Sequence, residues 1–283
     1  MIGENQKWQK IKISDESAVE KYLRENEKMY VSACGRFITR SFLKEPVWVL
    51  KGKNKEIIAL ILNSKSTIIP VLCKNMDIPA PGFLGGFFIK KKIHSVQGLT
   101  DEVVLMEKYL KQTGREIKDV YDYDLMSLDK SPKKEGFLSG PSNLILKVPQ
   151  FTDLDEIAPL QAAYEIEEVV PKGSVFSPAA SRVNLANIIA NRYILAAEFN
   201  GRFIGKINVS SISFTKFLVG GVYVHPDFRG FGIARRMAAV FIGSLIDQGK
   251  GVTLFVKKGN IAACRLYSSL GFAVNGDYRI TYY

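Results

Sequence analysis

The stretch Arg229-Gly230-Phe231-Gly232-Ile233-Ala234 decides how this chain is read, because of what lies on either side of it. Upstream, residues 217–225 are rich in β-branched and aromatic side chains, and Pro226, which cannot extend a central strand, follows them. Downstream, Ile233, Met237, Val240, Phe241 and Leu245 recur at helical spacing, which predicts an amphipathic helix over about 231–248. The glycines therefore fall at a helix N-terminus. There the first amides lack intrahelical partners, the macrodipole is positive, and small residues let a phosphate approach the backbone closely.

Two common phosphate loops are excluded. No Gly-Lys-Ser or Gly-Lys-Thr follows, as a Walker A loop requires, and Arg235 stands where a dinucleotide fingerprint has its third glycine. What remains is Arg-x-x-Gly-x-Ala. Further on, residues 252–256 read as a short apolar strand, and Asn260 opens a helix-like stretch that ends at Gly271-Phe272. Asn260, Ala263 and Tyr267 lie three and four residues apart, so they share one helical face.

The loop resembles the acetyl-CoA pyrophosphate loop of the GNAT superfamily of N-acetyltransferases, written Gln or Arg, two residues, Gly, one residue, Gly or Ala. In that superfamily an Asn, a small residue and a Tyr stand on the helix beside the thioester, followed by Gly-Phe and a last strand, here about 272–282. The resemblance is specific over about 217–282 and topological over about 143–216.

It implies an acetyl-CoA-dependent N-acetyltransferase that passes an acetyl or short acyl group to a primary amine by direct attack. The pyrophosphate would be held by the amides of Gly230, Phe231, Gly232, Ile233 and Ala234, with Arg229 opening the loop. The pantetheine arm would lie along the backbone of Val222, Tyr223 and Val224, and Asn260, Ala263 and Tyr267 would flank it. A strand that offers its edge to a ligand must part from its neighbour, and Gly220-Gly221 is where such a distortion is expected. An amide of this strand would face the thioester oxygen and stabilise charge there. Tyr267 is the expected general acid, since a phenol with an ordinary pKa near 10 holds its proton at neutral pH.

The base is not singled out. Glu165, Glu167 and Glu168 follow the first helix of this half, where the superfamily places its acceptor-binding loop, and Glu198 ends a strand. Glu165 and Glu168 are the catalytic candidates among them. The acidic run hints at a cationic acceptor, a small molecule or a protein lysine. His225 is assigned a structural part at the end of its strand, and His94 none. The competing reading is a non-catalytic CoA-binding regulatory or interaction module. The intact Asn260 and Tyr267 favour the enzyme.

The remaining bounds come from length and composition. A chain of 283 residues that is 47% apolar is comfortable for two domains. The polar stretch 129–142, with Pro132, Gly136, Gly140 and Pro141, suggests a boundary, giving an α/β domain over 1–140 and a GNAT domain with a mixed sheet over 141–283. Residues 143–283 carry 15 Lys and Arg against 10 Asp and Glu, and residues 1–142 carry 24 against 18, so the net charge of +11 is spread evenly. A nucleic-acid binder concentrates its charge on one face, so the distribution argues against that partner; Lys90-Lys91-Lys92 and Lys133-Lys134 read as solvated turns. Apolar runs are far too short to span a bilayer and the opening residues are polar, so a cytoplasmic protein is expected. Cys34, Cys73 and Cys264 show no metal or disulfide spacing and read as apolar fillers, so no metal site is expected.

Along the first half, residues 14–29 read as a helix with Ser14 or Asp15 as cap and Val19, Tyr22, Leu23 and Met29 on its apolar stripe. Strands at 47–51, 56–63 and 66–72 suggest an antiparallel meander, and an irregular loop with Pro79, Pro81, Gly82, Gly85 and Gly86 follows. A helix at about 101–112 and a strand at 121–128 close this half. The second half reads as strand 143–148, helices 153–165 and 179–191, strands 193–199 and 203–211, then the strand, turn and helix already described. The first half runs through loosely the same elements, which would make the chain a tandem of GNAT-like domains with a degenerate first copy. That half lacks the Arg-x-x-Gly-x-Ala turn and the Asn, Ala, Tyr face.

Overall fold

The computed structural model describes residues 8–39, 47–64, 66–72, 92–132 and 141–283. The chain divides into two compact units, Met1–Leu125 with Asn275–Tyr283, and Met126–Val274. Each is an α/β unit with a mixed sheet, the expected class.

The first unit runs β1 (Gln9–Lys10), a 3-10 turn at Ile13–Asp15, α1 (Glu16–Glu25), α2 (Val31–Ile38), β2 (Val47–Lys51), β3 (Ile57–Ser64), β4 (Thr67–Leu72), β5 (Ser95–Leu99), α3 (Thr100–Lys111) and β6 (Asp119–Leu128). The helix expected over 14–29 is interrupted. Asn26 turns its side-chain amide onto Tyr22 O at 2.8 Å, satisfying one of the carbonyls left open at a helix end, and the unanticipated α2 starts at Val31. Asp15 makes no side-chain cap to α1; it pairs with Lys51 at 2.6 Å. The meander is as expected, with Val47 opposite Leu62 and Ala59 opposite Leu72.

Beyond β4 the sheet turns parallel, but only Thr67↔Ser95 and Ile68↔Val96 pair with β5. The free end of β4 is taken up by this unit's own side chains. Leu72 N–H donates to Glu102 Oε1 at 2.9 Å, and the Tyr30 hydroxyl lies 2.5 Å from the same oxygen. His94 packs edge-on against Tyr282 at 5.4 Å. Cys34 is buried, and burial pushes its thiol pKa up. The loop at 79–86, Cys73, Lys90-Lys91 and Lys133-Lys134 lie outside the described residues.

The second unit runs β7 (Leu144–Lys147), a 3-10 turn at Phe151–Asp153, α4 (Leu154–Tyr164), a π turn at Glu165–Val169, α5 (Pro178–Ala190), β8 (Ile194–Phe199), β9 (Arg202–Ile212), β10 (Lys216–Val224), a 3-10 turn at Pro226–Phe228, α6 (Ile233–Ile246), β11 (Gly251–Lys257) and α7 (Ile261–Ser269). β12 (Ala273–Tyr282) follows. Its sheet is ordered β11-β10-β9-β8-β7. The expected domain 141–283 included the closing residues, whereas Asn275–Tyr283 pack with the first unit. The cause is strand pairing: β12 runs antiparallel to β5, from Tyr278↔Leu99 to Tyr282↔Ser95.

One face of the second sheet is covered by α4 and α5, where Ile157, Leu160, Leu185 and Ile189 pack on Ile194, Ala196, Phe203 and Tyr223. The other carries the core formed by α6 and α7 with Phe217, Val219, Val252 and Leu254. The buried stripe of α6 follows the i, i+4 rows through Ile233, Met237, Phe241 and Leu245 and through Ala238 and Ile242. Val240, expected on that stripe, sits at its margin and is 41% exposed. Among the described residues no helix is long and apolar enough to cross a membrane.

Candidate functional site

β10 pairs in parallel with β11 from Lys216↔Gly251 to Val219↔Leu254, and that ladder goes no further. Its pairing with β9 jumps from Gly220↔Asn208 to Tyr223↔Lys206. One residue too many stands on β10, so the strand bulges, and Gly221 and Val222 have no ladder partner among the described residues. Gly221 is held at φ +61°, and a Cβ there would lie 2.0 Å from Asn208 Oδ1 and 2.8 Å from Lys206 Nζ. Only glycine fits. The distortion expected at Gly220-Gly221 is therefore where β10 parts from β11.

At the end of β10, His225 caps the short turn, its Nδ1 accepting from the Asp227 amide at 3.4 Å. Arg229 opens the loop, and its guanidinium is engaged by the chain itself. It donates to Val224 O at 3.0 Å and to Glu167 Oε2 at 2.8 Å, and lies 5.3 Å from the Tyr223 ring centroid. The hydrogen bond to Glu167 raises its pKa further. Gly230 and Gly232 follow at φ +87° and +75°, and Gly232 is the N-cap of α6. A Cβ built on Gly230 meets nothing within 4 Å, so the backbone of this turn is open to approach. Phe231 is exposed, Ala234 half-buried, and Ile233 belongs to the core beneath the helix.

The expected acidic loop is a continuation of α4 as a π turn, closed by Val170 N–H to Glu165 O at 2.7 Å. Its carboxylates are engaged. Glu165 Oε1 accepts from Gln161 Nε2 at 2.6 Å and Asn184 Nδ2 at 3.0 Å; Glu167 holds Arg229; Glu168 pairs with Lys257 at 2.9 Å and lies 3.5 Å from Asn260 Nδ2. Glu198 is bound to Lys147 at 2.6 Å. Asn260 caps α7, its Oδ1 accepting from the Ala263 amide at 3.0 Å. Ala263 is half-buried and Tyr267 is 6% exposed, its ring edge-on to Phe272 at 5.6 Å. Burial, with added push from Tyr164 and Glu168, holds the Tyr267 phenol far above its ordinary pKa.

Three residues not singled out from the sequence complete this wall: Tyr164, Lys206 and Asn208. Burial raises the Tyr164 pKa, and a backbone hydrogen bond from Gly221 opposes it. Lys206 is wholly buried, its Nζ donating to Gly221 O at 2.9 Å and Asn208 Oδ1 at 3.0 Å and lying 4.8 Å from the Tyr164 ring centroid. Burial pulls its pKa down to about 7, with Glu165 pulling the other way. A signal was present in the sequence: Lys206 is the lone charge inside the apolar run 203–209. The structure thus gathers Tyr267, Glu168, Asn260, Tyr164 and the Gly221 bulge. Among the described residues no group of three His, Cys, Asp or Glu could hold a metal ion.

Comparison with known proteins bears on the same region. The model of the acetyltransferase (GNAT) family matches residues 160–272. The L-amino acid N-acyltransferase MnaT of Escherichia coli (strain K12) is 33% identical over 97 residues, covering 32% of this chain and 56% of that protein. The chain thus spans about half the length of the curated relative it matches. Two solved structures share the fold across nearly the whole chain. A GCN5-related N-acetyltransferase from Sphaerobacter thermophilus has a TM-score of 0.63 at 17% identity, covering 99% of this chain and 96% of that one. A tandem GNAT protein from the clavulanic acid biosynthesis pathway has a TM-score of 0.60 at 12% identity, covering 98% of each.

Proposed function

We propose that the chain, whose residues 160–272 match the model of the acetyltransferase (GNAT) family, is an N-acyltransferase that uses acetyl-CoA or a short acyl-CoA and acylates a primary amine. The observation that carries this reading is the parting of β10 from β11 beyond Val219, which leaves Gly221 and Val222 without ladder partners. The residues present fit the donor. The open turn at Gly230 lets a pyrophosphate approach amides at the N-terminus of α6, where the macrodipole favours negative charge.

When bound, coenzyme A supplies the acyl group as a thioester, activated toward amines. The amides of Gly230 to Ala234 would hold the phosphates, and Arg229 braces the turn through Val224 O and Glu167. The strand backbone from Val222 to Val224 would receive the pantetheine arm, and the Val222 amide would support negative charge on the acyl oxygen. Tyr267 Oη would hold the proton for the departing sulfur, and Glu165 or Glu168 would take the proton that the amine loses. The raised pKa of Tyr267 keeps that proton in place at neutral pH.

The acceptor class is narrowed by charge. Glu167 and Glu168 already hold Arg229 and Lys257, so the π turn offers less free negative charge than its sequence suggests. The α-amine of an amino acid is the first acceptor to test, as the name of the curated relative suggests. We take the first unit as a degenerate GNAT-like copy, supported by its order of strand, two helices, three antiparallel strands, a parallel strand, helix and strand. Calorimetry with acetyl-CoA, then thiol release over a panel of amines, tests the whole reading. Absence of acetyl-CoA binding refutes it; binding without turnover on any amine replaces the enzyme with a CoA-binding module.

A further inference from the structure

Lys206 is the one lysine of the second sheet that is wholly withdrawn from water, and no step above uses it. Its position is specific. It stands on β9 opposite Ala196, on the face covered by α4, where its ammonium meets the Gly221 carbonyl at the bulge. Three groups hold it there: Gly221 O, Asn208 Oδ1 and the face of the Tyr164 ring. A charge kept in such a place carries a desolvation cost that a methionine would not, so its contacts, not its burial, are what need explaining.

The planar peptide supplies the link. The C=O of Gly221 and the N–H of Val222 belong to one trans unit and point in opposite directions. A carbonyl held toward Lys206 therefore aims the Val222 amide away from it, and a charge-assisted bond to the carbonyl polarises that amide into a stronger donor. We infer that Lys206 is a positioning residue for acyl transfer, acting through the Gly221–Val222 peptide to aim and strengthen the amide that faces the acyl oxygen. This rests on the acyltransferase reading.

The groups facing Lys206 are Tyr164 from α4 and Glu165 from the π turn, and His225 lies three residues beyond Val222 on the same chain. The test has two arms on the full chain. In the first, [15N]valine labelling follows the Val222 amide, assigned by its loss in Val222→Ile, between pH 5.5 and 8.5. The expected result is a titration with midpoint at about 7 that is absent in Lys206→Met. A Val222 amide indifferent to pH, or one titrating equally in Lys206→Met, overturns the inference, the latter assigning the effect to His225 or Glu165.

In the second arm, Lys206→Met should lower kcat about 10- to 100-fold with the acetyl-CoA dissociation constant unchanged within about threefold. The ratio of wild-type to variant kcat should fall as pH rises through about 7, because the ammonium is then lost. Equal kcat values overturn the inference, as does a parallel loss of affinity and turnover. If Lys206→Met does not fold, Lys206→Gln takes its place in both arms, with the same expected and overturning results. A wild-type chain that does not bind acetyl-CoA overturns this inference together with the acyltransferase reading, whereas a pH-indifferent Val222 amide in a chain that binds overturns this one only.

Discussion

Replacing Gly221 with alanine tests the geometry of the bulge most directly, because two separable costs meet at one atom. The first is conformational: at φ +61° an L-residue other than glycine costs roughly 1–2 kcal/mol. The second is displacement. The new Cβ would lie 2.0 Å from Asn208 Oδ1 and 2.8 Å from Lys206 Nζ, so a buried ammonium must give up its acceptors. Leaving a buried polar group unsatisfied costs about 1–3 kcal/mol, more when it is charged. The sum is about 2–5 kcal/mol, or roughly 6–15 °C in melting temperature for a unit of this size. Gly230→Ala supplies the control, since it shares a positive φ of +87° but meets nothing within 4 Å, and should cost only about 1–2 kcal/mol. Urea unfolding of both variants, followed by a tryptophan-independent probe such as far-ultraviolet circular dichroism, gives the difference. Should Gly221→Ala lose no more stability than Gly230→Ala, the close packing of Lys206 and Asn208 beneath the bulge would be refuted.

Three further outcomes follow from the same contacts. Tyr267→Phe should retain acetyl-CoA affinity within about threefold and lose about 10²- to 10⁴-fold in turnover, read by thiol release; unchanged turnover removes Tyr267 from proton donation. Calorimetry should count one acetyl-CoA per chain, because Glu102 and Tyr30 already occupy the open end of β4 in the first unit; a count of two would falsify that assignment. Stability should depend on pH through Lys206, whose folded pKa of about 7 lies below the ordinary 10.5. Between those values the unfolded chain binds the proton that the folded chain does not, so stability rises with pH by up to about 1.4 kcal/mol per unit. Urea midpoints of wild type should climb from pH 7 to 10 relative to Lys206→Met, and parallel curves would contradict the burial.

The second half was legible because its elements carry local signals. Gly230 and Gly232 at the start of an i, i+4 stripe, and Asn260 three residues before Ala263, name their own turn and cap, and the structure has both. The first half was less so. Residues 31–38 carry no cap to mark them, their neighbour Tyr30 makes its hydrogen bonds to Glu102 and Leu72 far along the chain, and the helix is fixed by that packing. The pairing of β12 with β5 was illegible for the same reason: a strand's alternation tells which face is buried, and never which partner it joins.

Within the site, the division falls along a physical line. Backbone geometry was readable, since a glycine turn or a helix cap is a property of a few adjacent residues. Charge pairing was not, because a carboxylate's availability depends on what neutralises it from another element. Glu165, Glu167 and Glu168 looked alike in sequence, yet one accepts from two amides, one is held by Arg229 and one by Lys257. Lys206, on which the sequence reading was silent, is the reverse case. A lysine in a strand is ordinarily read as a solvated edge, but its neighbours Ile204, Ile207 and Val209 are all buried, so the strand is covered on both faces and the charge has nowhere to go but inward. The neighbouring glycine is then not only a place where β10 bends. Gly221 is the residue that leaves room for that charge, so the distortion that opens β10 and the lysine that sits behind it require each other.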